Sequence, residues 1–151
     1  MFNIALYQPD IPQNTAAIIR LCSCFNTTLE IIEPCGFYLN DKRLKRIAMD
    51  YLDISKIIIY KSYEDFLINK KNSRIILMTT KAKKDYCDFK FKRKDTILFG
   101  RESEGVPSSV HKNSYERLKI PLKSNSRSLN IGMAAAITLS EAIKQNHFLD
   151  E

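Results

Sequence analysis

The sequence predicts an α/β fold, with a mostly parallel sheet and helices on both faces. Two patterns support this prediction. Short apolar, β-branched runs recur along the chain, and segments with helical spacing of apolar residues lie between several of them. A length of 151 residues suits one domain with a sizeable core. We therefore expect a single domain over residues 1–151, since neither a linker nor an internal repeat is visible.

Six apolar runs predict the strands of the sheet. Each is short and rich in Ile, Leu and aromatic residues, a composition that is typical of strands. Because ligands of open α/β sheets bind beyond the carboxyl ends of the strands, the residues that follow these runs are the first place to look for function. The runs are Ile4–Tyr7, Leu29–Ile32, Ile57–Tyr60, Ile75–Met78, Ile97–Phe99 and Leu118–Leu122.

Three segments between the strands predict helices. Residues 14–25 carry an apolar face and begin at Asn14, a candidate N-cap. Residues 41–51 repeat the pattern and begin at Asp41, another candidate cap. Tyr63–Asn69 would form a short third helix.

The segment Leu129–Phe148 predicts a fourth helix with an unusual surface. Between Ile131 and Ile143, apolar residues occupy nearly every side, whereas a surface helix would show one apolar stripe. Either this helix runs through the core, or it packs on its own sheet and on a partner subunit. Of the two we favour the partner, which predicts a homodimer through the C-terminal helix.

Charge and cysteine usage restrict the class of function. The chain has 24 Lys and Arg against 17 Asp and Glu, and the net charge of +7 favours anionic partners such as nucleic acid. The four cysteines and two histidines lack the spacing of a metal site, so we expect no metal and reduced thiols in a cytoplasmic protein. No apolar run approaches the roughly 20 residues that span a membrane, and no membrane association is expected.

Polar sequences follow three of the predicted strands: LMTTK at 77–81, FGRESEG at 99–105 and IPLKSNSRSLN at 120–130. A single serine or asparagine before a helix often only caps it, but three such loops at one sheet edge favour a pocket. The sequence has no Rossmann dinucleotide fingerprint and no Walker A motif. Neither His111 nor His147 is a credible member of a Ser-His-Asp triad.

Three motifs, in order, resemble those of one family. NIALYQPDIPQNTAAIIRLC, ILFGRESEGVP and IPLKSNSRSLNIGMAAAITLSEA look like the motifs of SPOUT-superfamily RNA 2′-O-ribose methyltransferases. With IIEPCGF followed by DKRLKRIAMDY, the likeness is closest to the small bacterial tRNA (cytidine/uridine-34)-2′-O-methyltransferases. It extends from about Phe2 to Ala142, and the order of the motifs makes it specific.

The resemblance implies an α/β trefoil knot in the C-terminal half, with S-adenosylmethionine bent within it and S-adenosylhomocysteine as the product. It implies that Gly100 ends its strand so that the cofactor can pack against the backbone. The catalytic residues that it implies are Arg20, Glu102, Ser128 and Asn130. Arg20 would grip a phosphate and stabilise the developing alkoxide, because a guanidinium stays protonated and is a poor base. The cofactor-binding residues that it implies are Met78, Thr79, Gly100, Ile120, Leu122, Ser128 and Leu129.

The expected substrate is the anticodon stem-loop of tRNA, methylated at the ribose of wobble nucleotide 34. Candidate RNA contacts are Arg20 and the four cations Lys42, Arg43, Lys45 and Arg46. Residues 81–94 interleave basic and aromatic residues, and for the aromatic ones we favour a place in the core. Two alternatives remain open at this point: methylation of ribosomal RNA, and a catalytically silent RNA-binding module of the same fold.

Two positions depart from the family pattern. Ala16 stands where glycine is usual, and Ser140 stands where tyrosine is common. Alanine could tighten the turn of the first motif, whereas the loss of tyrosine bears on the dimer contact or the fit of RNA. Neither change removes a residue of the implied catalytic set.

Overall fold

The predicted parallel sheet is present in the computed structural model, which describes residues 1–48 and 56–146. Within those residues, seven strands form one sheet in which every pairing is parallel. The strands are β1 (Asn3–Tyr7), β2 (Thr28–Ile32), β3 (Ile57–Tyr60), β4 (Ile75–Met78), β5 (Lys84–Asp85), β6 (Thr96–Phe99) and β7 (Glu116–Lys119). Their order across the sheet is β3-β2-β1-β6-β4-β7-β5.

Five of the six predicted strands are confirmed to within one residue, and the sixth is wrong in its bounds. The prediction placed it at Leu118–Leu122, whereas β7 ends at Lys119. Pairing sets this limit, because β7 lies against β4 as far as Leu118 and against β5 as far as Lys119. Pro121, which has no backbone N–H to donate, then follows in the loop.

The helices are α1 (Pro12–Cys24), α2 (Lys42–Ala48), α3 (Tyr63–Asn69), α4 (Ser108–Asn113) and α5 (Ile131–Asn146). The prediction of Asn14 as an N-cap is wrong, because Pro12 starts α1 two residues earlier, as proline at the first position often does. The cap at Asp41 is confirmed, since its Oδ1 accepts the backbone N–H of Arg43 at 2.7 Å. Residues 49–51 and 147–148, included in two predicted helices, lie outside the described residues. Helix α4 and the two-residue strand β5 were not predicted.

Helices cover both faces of the sheet, as predicted. Alternate residues of β1 show the division, since successive side chains of a strand point to opposite faces. Ile4 and Leu6 belong to a core cluster shared with α1, α2 and α5, whereas Ala5 and Tyr7 belong to a cluster shared with α3 and α4. The central strands are buried throughout, as expected for a parallel sheet covered on both sides.

One face of α5 packs on the sheet and the other is exposed, so this helix does not run through the core. Ala135, Leu139 and Ala142 are buried, whereas Met133 is 65% exposed and Ile137 is 37% exposed. Helix α1 packs beside it, and a Cβ at Gly132 would lie 3.7 Å from the Cβ of Ala17. The exposed apolar face of α5 therefore continues onto the exposed side of α1.

Membrane-spanning helices and metal-binding clusters were sought in residues 1–48 and 56–146. No helix there is long and apolar enough to cross a membrane. No group of three or more His, Cys, Asp or Glu side chains there is arranged to hold a metal ion. All four cysteines are free, and burial raises the pKa of the Cys22 thiol to about 12.

Candidate functional site

A cavity of about 580 Å³ lies at the carboxyl ends of β4, β6 and β7, and we call it the strand-end cavity. The three polar loops predicted to form a pocket all contribute to its lining. The structure brings together in it all seven residues predicted to bind a cofactor: Met78, Thr79, Gly100, Ile120, Leu122, Ser128 and Leu129. The first and last of these residues, Met78 and Leu129, are 51 positions apart in the sequence, so their convergence is a result of the sheet order.

The lining combines an apolar floor with a polar rim. Met78 and Phe99, the last residues of β4 and β6, are buried, and Ile120 lies beside them. Thr79 continues the β4 direction, where its backbone N–H donates to the carbonyl of Leu118 at 2.8 Å. Its hydroxyl accepts the backbone N–H of Lys81 at 3.2 Å. A volume within the roughly 300–1,000 Å³ usual for ligand pockets, with this mixed lining, suits a small organic molecule.

Gly100 is required by the loop that it opens. Arg101 and Gly105 bond to each other through both backbone groups, at 3.1 and 2.9 Å, which closes a tight five-residue turn. A Cβ at Gly100 would lie 2.8 Å from the carbonyl carbon of Gly105, closer than side chains are found. Gly105 has φ of +66°, a conformation that favours glycine. The chain itself thus supplies a reason for Gly100, in addition to the cofactor packing that the resemblance implies.

The loop 100–105 is held against the segment that precedes α1. The guanidinium of Arg101 donates to the side-chain oxygen of Gln8, and the Ser103 hydroxyl donates to the carboxylate of Asp10. Arg101 also lies over the ring of Tyr7 at 6.0 Å and contacts Glu104 at 3.3 Å. The charged residues of the loop therefore join two of the three sequence motifs.

Glu102 lies half-buried at the wall of the cavity, where both its oxygens accept hydrogen bonds. Oε2 accepts the backbone N–H of Asp10 at 3.1 Å, and Oε1 accepts the side-chain amide of Asn14 at 3.4 Å. Burial raises the pKa of Glu102, and the neighbouring Asp10 carboxyl raises it further, whereas the hydrogen bond from the Asp10 backbone lowers it. The Glu102 side chain in turn lowers the pKa of Asp10. The two carboxyl groups are therefore coupled, and their pKa values shift in opposite directions.

Asn130 links the third motif to the first. Its Oδ1 accepts the backbone N–H groups of Gly132 at 2.9 Å and Met133 at 3.3 Å, which caps α5. Its Nδ2 donates to Oδ1 of Asn14 at 2.9 Å. Asn14, Asn130 and Glu102 thus form a chain of hydrogen bonds along the cavity wall, and all three line the cavity.

Asn14 and Asp10 are site residues that were not predicted. The sequence indicates only a helix cap at Asn14, although Pro12 in the first helical position frees Asn14 for another role. Asp10 gives no signal of its own, because its contact with Glu102 joins residues 92 positions apart.

Arg20 is the one predicted catalytic residue that does not line the strand-end cavity within one chain. It lies exposed on α1, one turn beyond Ala17, on the side that adjoins the exposed face of α5. Ser128, in contrast, lies in the cavity lining beside Leu129.

His111 lines the cavity, although it was not predicted as a site residue. It lies on α4, a helix that the apolar pattern did not predict. Burial lowers its pKa, and the positive charges of Lys81 and Arg117 lower it further. Both effects favour the neutral form of the His111 imidazole.

The predicted RNA contacts form a basic surface on α2. Lys42, Arg43, Lys45 and Arg46 are all exposed. Arg43 also binds Asp41 through Nε at 3.1 Å and Nη2 at 3.0 Å, so its charge is partly offset. In the second basic segment, Phe89 and Phe91 are buried in the core, which confirms the preferred interpretation of those two aromatic residues.

Known proteins share this sequence and architecture. Residues 1–140 match the model of the SpoU rRNA Methylase family. A tRNA (cytidine(34)-2′-O)-methyltransferase of Beijerinckia indica is 44% identical over 94% of this chain and 90% of its own length. The tRNA (cytidine(34)-2′-O)-methyltransferase of Escherichia coli K12 is 36% identical over 96% of this chain and 94% of its own length. A solved structure described as giving insights into the 2-OH methylation of C/U34 on tRNA superimposes with a TM-score of 0.93 at 32% identity, covering 97% of both chains.

Proposed function

The chain belongs to the SpoU rRNA methylase family, and on that basis we propose that it methylates the ribose 2′-OH of wobble nucleotide 34, a pyrimidine, in tRNA. The observation that carries the proposal is the strand-end cavity, in which the three family motifs meet. The methyl donor would be S-adenosylmethionine, and the product S-adenosylhomocysteine.

The residues of the cavity fit S-adenosylmethionine by their chemistry. Apolar side chains such as Ile120 and Leu122 would hold the adenine, and the hydroxyls of Thr79 and Ser128 offer partners for polar groups. When bound, the cofactor supplies a methyl group activated on a sulfonium. The loop 100–105, held by its own backbone and by Gln8 and Asp10, keeps this wall of the cavity in one conformation.

The reacting hydroxyl of the RNA is a weak acid and needs local electrostatic support. Glu102, Ser128 and Asn130 would surround it at the cavity wall, with Asn14 fixing the orientation of Glu102 and Asn130. Arg20 would stabilise the developing alkoxide and grip a neighbouring phosphate.

That role for Arg20 depends on a second chain. Within one chain Arg20 lies on the exposed side of α1, beside the exposed apolar face of α5, and does not line the cavity. We propose a homodimer through α5, in which Arg20 of each protomer completes the cavity of its partner. The exposure of Met133 and Ile137 supports such an interface, because apolar faces of this kind are commonly covered by a partner.

The anticodon stem-loop would lie with its phosphates on the cations of α2, Lys42, Lys45 and Arg46 in particular. We further propose that the chain forms one domain over residues 1–151, that its C-terminal half is threaded as a trefoil knot, and that it acts in the cytoplasm. No metal is needed in this scheme.

The proposal is tested by incubating the purified protein with methyl-labelled S-adenosylmethionine and a tRNA anticodon stem-loop. We expect label in the stem-loop, and none when nucleotide 34 carries a 2′-deoxyribose or is already 2′-O-methylated. Label in ribosomal RNA but not in tRNA would show that ribosomal RNA, and not tRNA, is the substrate. Heat of RNA binding without heat of S-adenosylmethionine binding would identify a silent RNA-binding module instead.

A further inference from the structure

A second cavity lies at the carboxyl ends of β2 and β3, and we call it the tyrosine cavity. Its volume is about 390 Å³. Its lining residues between β2 and α2 end at Leu39, and α2 begins three residues later at Lys42. The lining residues are Glu33, Pro34, Cys35, Phe37, Tyr38, Leu39 and Lys61.

The segment that forms this cavity presents one large aromatic ring to solvent. Its side chains alternate, since Cys35, Phe37 and Leu39 pack against the core while Tyr38 points away and is 82% exposed. The backbone around Tyr38 is held in place, because its carbonyl accepts the N–H of Asp41 at 2.9 Å. Tyr38 therefore presents its ring to solvent from a backbone that is fixed by a hydrogen bond.

Backbone contacts connect the tyrosine cavity to the strand-end cavity. The N–H of Gly36 donates to the carbonyl of Pro9 at 2.9 Å, and a Cβ at Gly36 would lie 2.9 Å from Cα of Asp10. The N–H of Asp10 in turn donates to Glu102 in the strand-end cavity. The segment at Pro9 and Asp10 thus contacts residues of both cavities, Gly36 in the loop of the first and Glu102 in the wall of the second.

Charge distinguishes which part of a nucleotide each surface accepts. The tyrosine cavity is lined by one carboxylate, Glu33, which offers an acceptor for the amino group of a base, and by one cation, Lys61, which offsets its charge. The exposed cations of α2 stand immediately beyond, where they attract phosphate. An unpaired nucleotide would thus place its base in the cavity and its phosphates toward α2.

We propose that Tyr38 and the tyrosine cavity form a stacking site for an unpaired anticodon-loop base that neighbours the wobble nucleotide. Aromatic side chains bind unpaired bases by stacking on their faces, which does not require a particular base. The inference rests on the proposed function, because that function brings an unpaired loop of tRNA to this edge of the sheet. It assigns to Tyr38 a role in holding the substrate, apart from methyl transfer itself.

The test compares Tyr38→Ala, Tyr38→Phe and wild type in methyl transfer to the anticodon stem-loop. Tyr38→Ala should raise KM for the RNA by about 5- to 150-fold, the range that loss of one stacked base represents, with little change in kcat. Tyr38→Phe should stay close to wild type, because its ring still stacks. Tyr115→Ala is the matched control, since Tyr115 is 63% exposed but precedes β7 at the opposite edge of the sheet.

A second measurement uses fluorescence. The chain has no tryptophan, so Tyr38→Trp introduces a single reporter, and the stem-loop should quench it. An unchanged KM in Tyr38→Ala, or unquenched fluorescence of Tyr38→Trp at saturating RNA, would overturn the stacking site. In that case methylation of the stem-loop by the wild type would still support the proposed function. If wild type transfers no methyl group, the proposed function falls. Quenching of Tyr38→Trp by the same RNA then still decides whether the base stacks.

Discussion

Two regions share the carboxyl edge of the sheet and are built in opposite ways. The strand-end cavity depends on backbone geometry: buried strand ends, a five-residue turn from Arg101 to Gly105, and side chains bonded across motifs. The basic surface of α2 depends on exposed side chains such as Lys42 and Lys45, carried by a helix of seven residues. We expect a side chain added at Gly100 to disrupt the cavity, whereas each lysine removed from α2 should weaken RNA binding by one step. This contrast fits the proposed function, in which the first region transfers the methyl group and the second holds the RNA.

The largest effect should come from adding a side chain to the turn of the cavity. Gly100→Val places a branched side chain 2.8 Å from the backbone of Gly105, so the loop has to move. We expect binding of S-adenosylhomocysteine and methyl transfer to fall below detection, with unfolding easier by about 1–3 kcal/mol. Calorimetric titration and chemical denaturation measure the two effects separately.

Gly105→Ala is the matched control for that substitution. A Cβ at Gly105 meets no atom within 4 Å, so the change costs only the left-handed conformation, about 1–2 kcal/mol. It should retain cofactor binding. Equal binding by Gly100→Val and wild type would show that the turn tolerates a side chain, and the backbone argument would be wrong.

The next largest effect concerns the proposal that Arg20 of each protomer completes the strand-end cavity of its partner. Arg20→Ala and Glu102→Gln should each lose at least about 100-fold in methyl transfer. Mixed in equal amounts after unfolding and refolding, they should regain about a quarter of wild-type activity, because half of the dimers are mixed and each has one intact cavity. Activity that stays at the level of the separate variants would place Arg20 and Glu102 in the same protomer's site.

A graded effect is expected on the basic surface. Lys42→Ala with Lys45→Ala should weaken RNA binding and reduce the slope of log affinity against log salt by about 0.7–0.9 for each phosphate that is no longer bound. Cofactor affinity should not change, because neither lysine lines the strand-end cavity. The charge-matched control, Lys71→Ala with Lys90→Ala, removes exposed lysines that precede β4 and β6 at the other edge. A salt slope that falls equally in both pairs would mean that α2 holds no particular phosphates.

The smallest effect is a pH dependence from His111. Its pKa is lowered in the folded chain, so the unfolded chain binds more protons as the pH falls below 6.5. Wild type should therefore lose stability between pH 7 and its folded pKa, and His111→Gln should lose less. The difference should be well below the about 1.4 kcal/mol of one pKa unit, because His111 is only partly buried. Denaturation curves at pH 7.5 and 5.5 measure it, and a steeper loss in His111→Gln would contradict the sign.

The comparison of these regions also explains what could be predicted from the sequence. The parallel sheet was predictable because the central strands are short apolar runs, which the structure buries. The three polar loops after predicted strands indicated a pocket, whereas the individual cofactor-binding residues followed from the resemblance to the family. The contacts Asp10–Glu102 and Asn14–Asn130 were not, since they join residues about 100 positions apart and depend on strand order. His111 was missed because α4 has one buried residue and no apolar period.

The proposal that the strand-end cavity transfers the methyl group while the basic surface of α2 binds the RNA is tested most directly by steady-state kinetics. Two variants are measured side by side. For Glu102→Gln we predict a kcat reduced at least about 100-fold with the KM for the stem-loop nearly unchanged, because the interaction that is removed acts mainly in the transition state. For Lys42→Ala with Lys45→Ala we predict the reverse, a raised KM with kcat retained at saturating RNA. If Glu102→Gln raises only KM, or the lysine pair lowers kcat at saturating RNA, the two regions do not divide the work in this way.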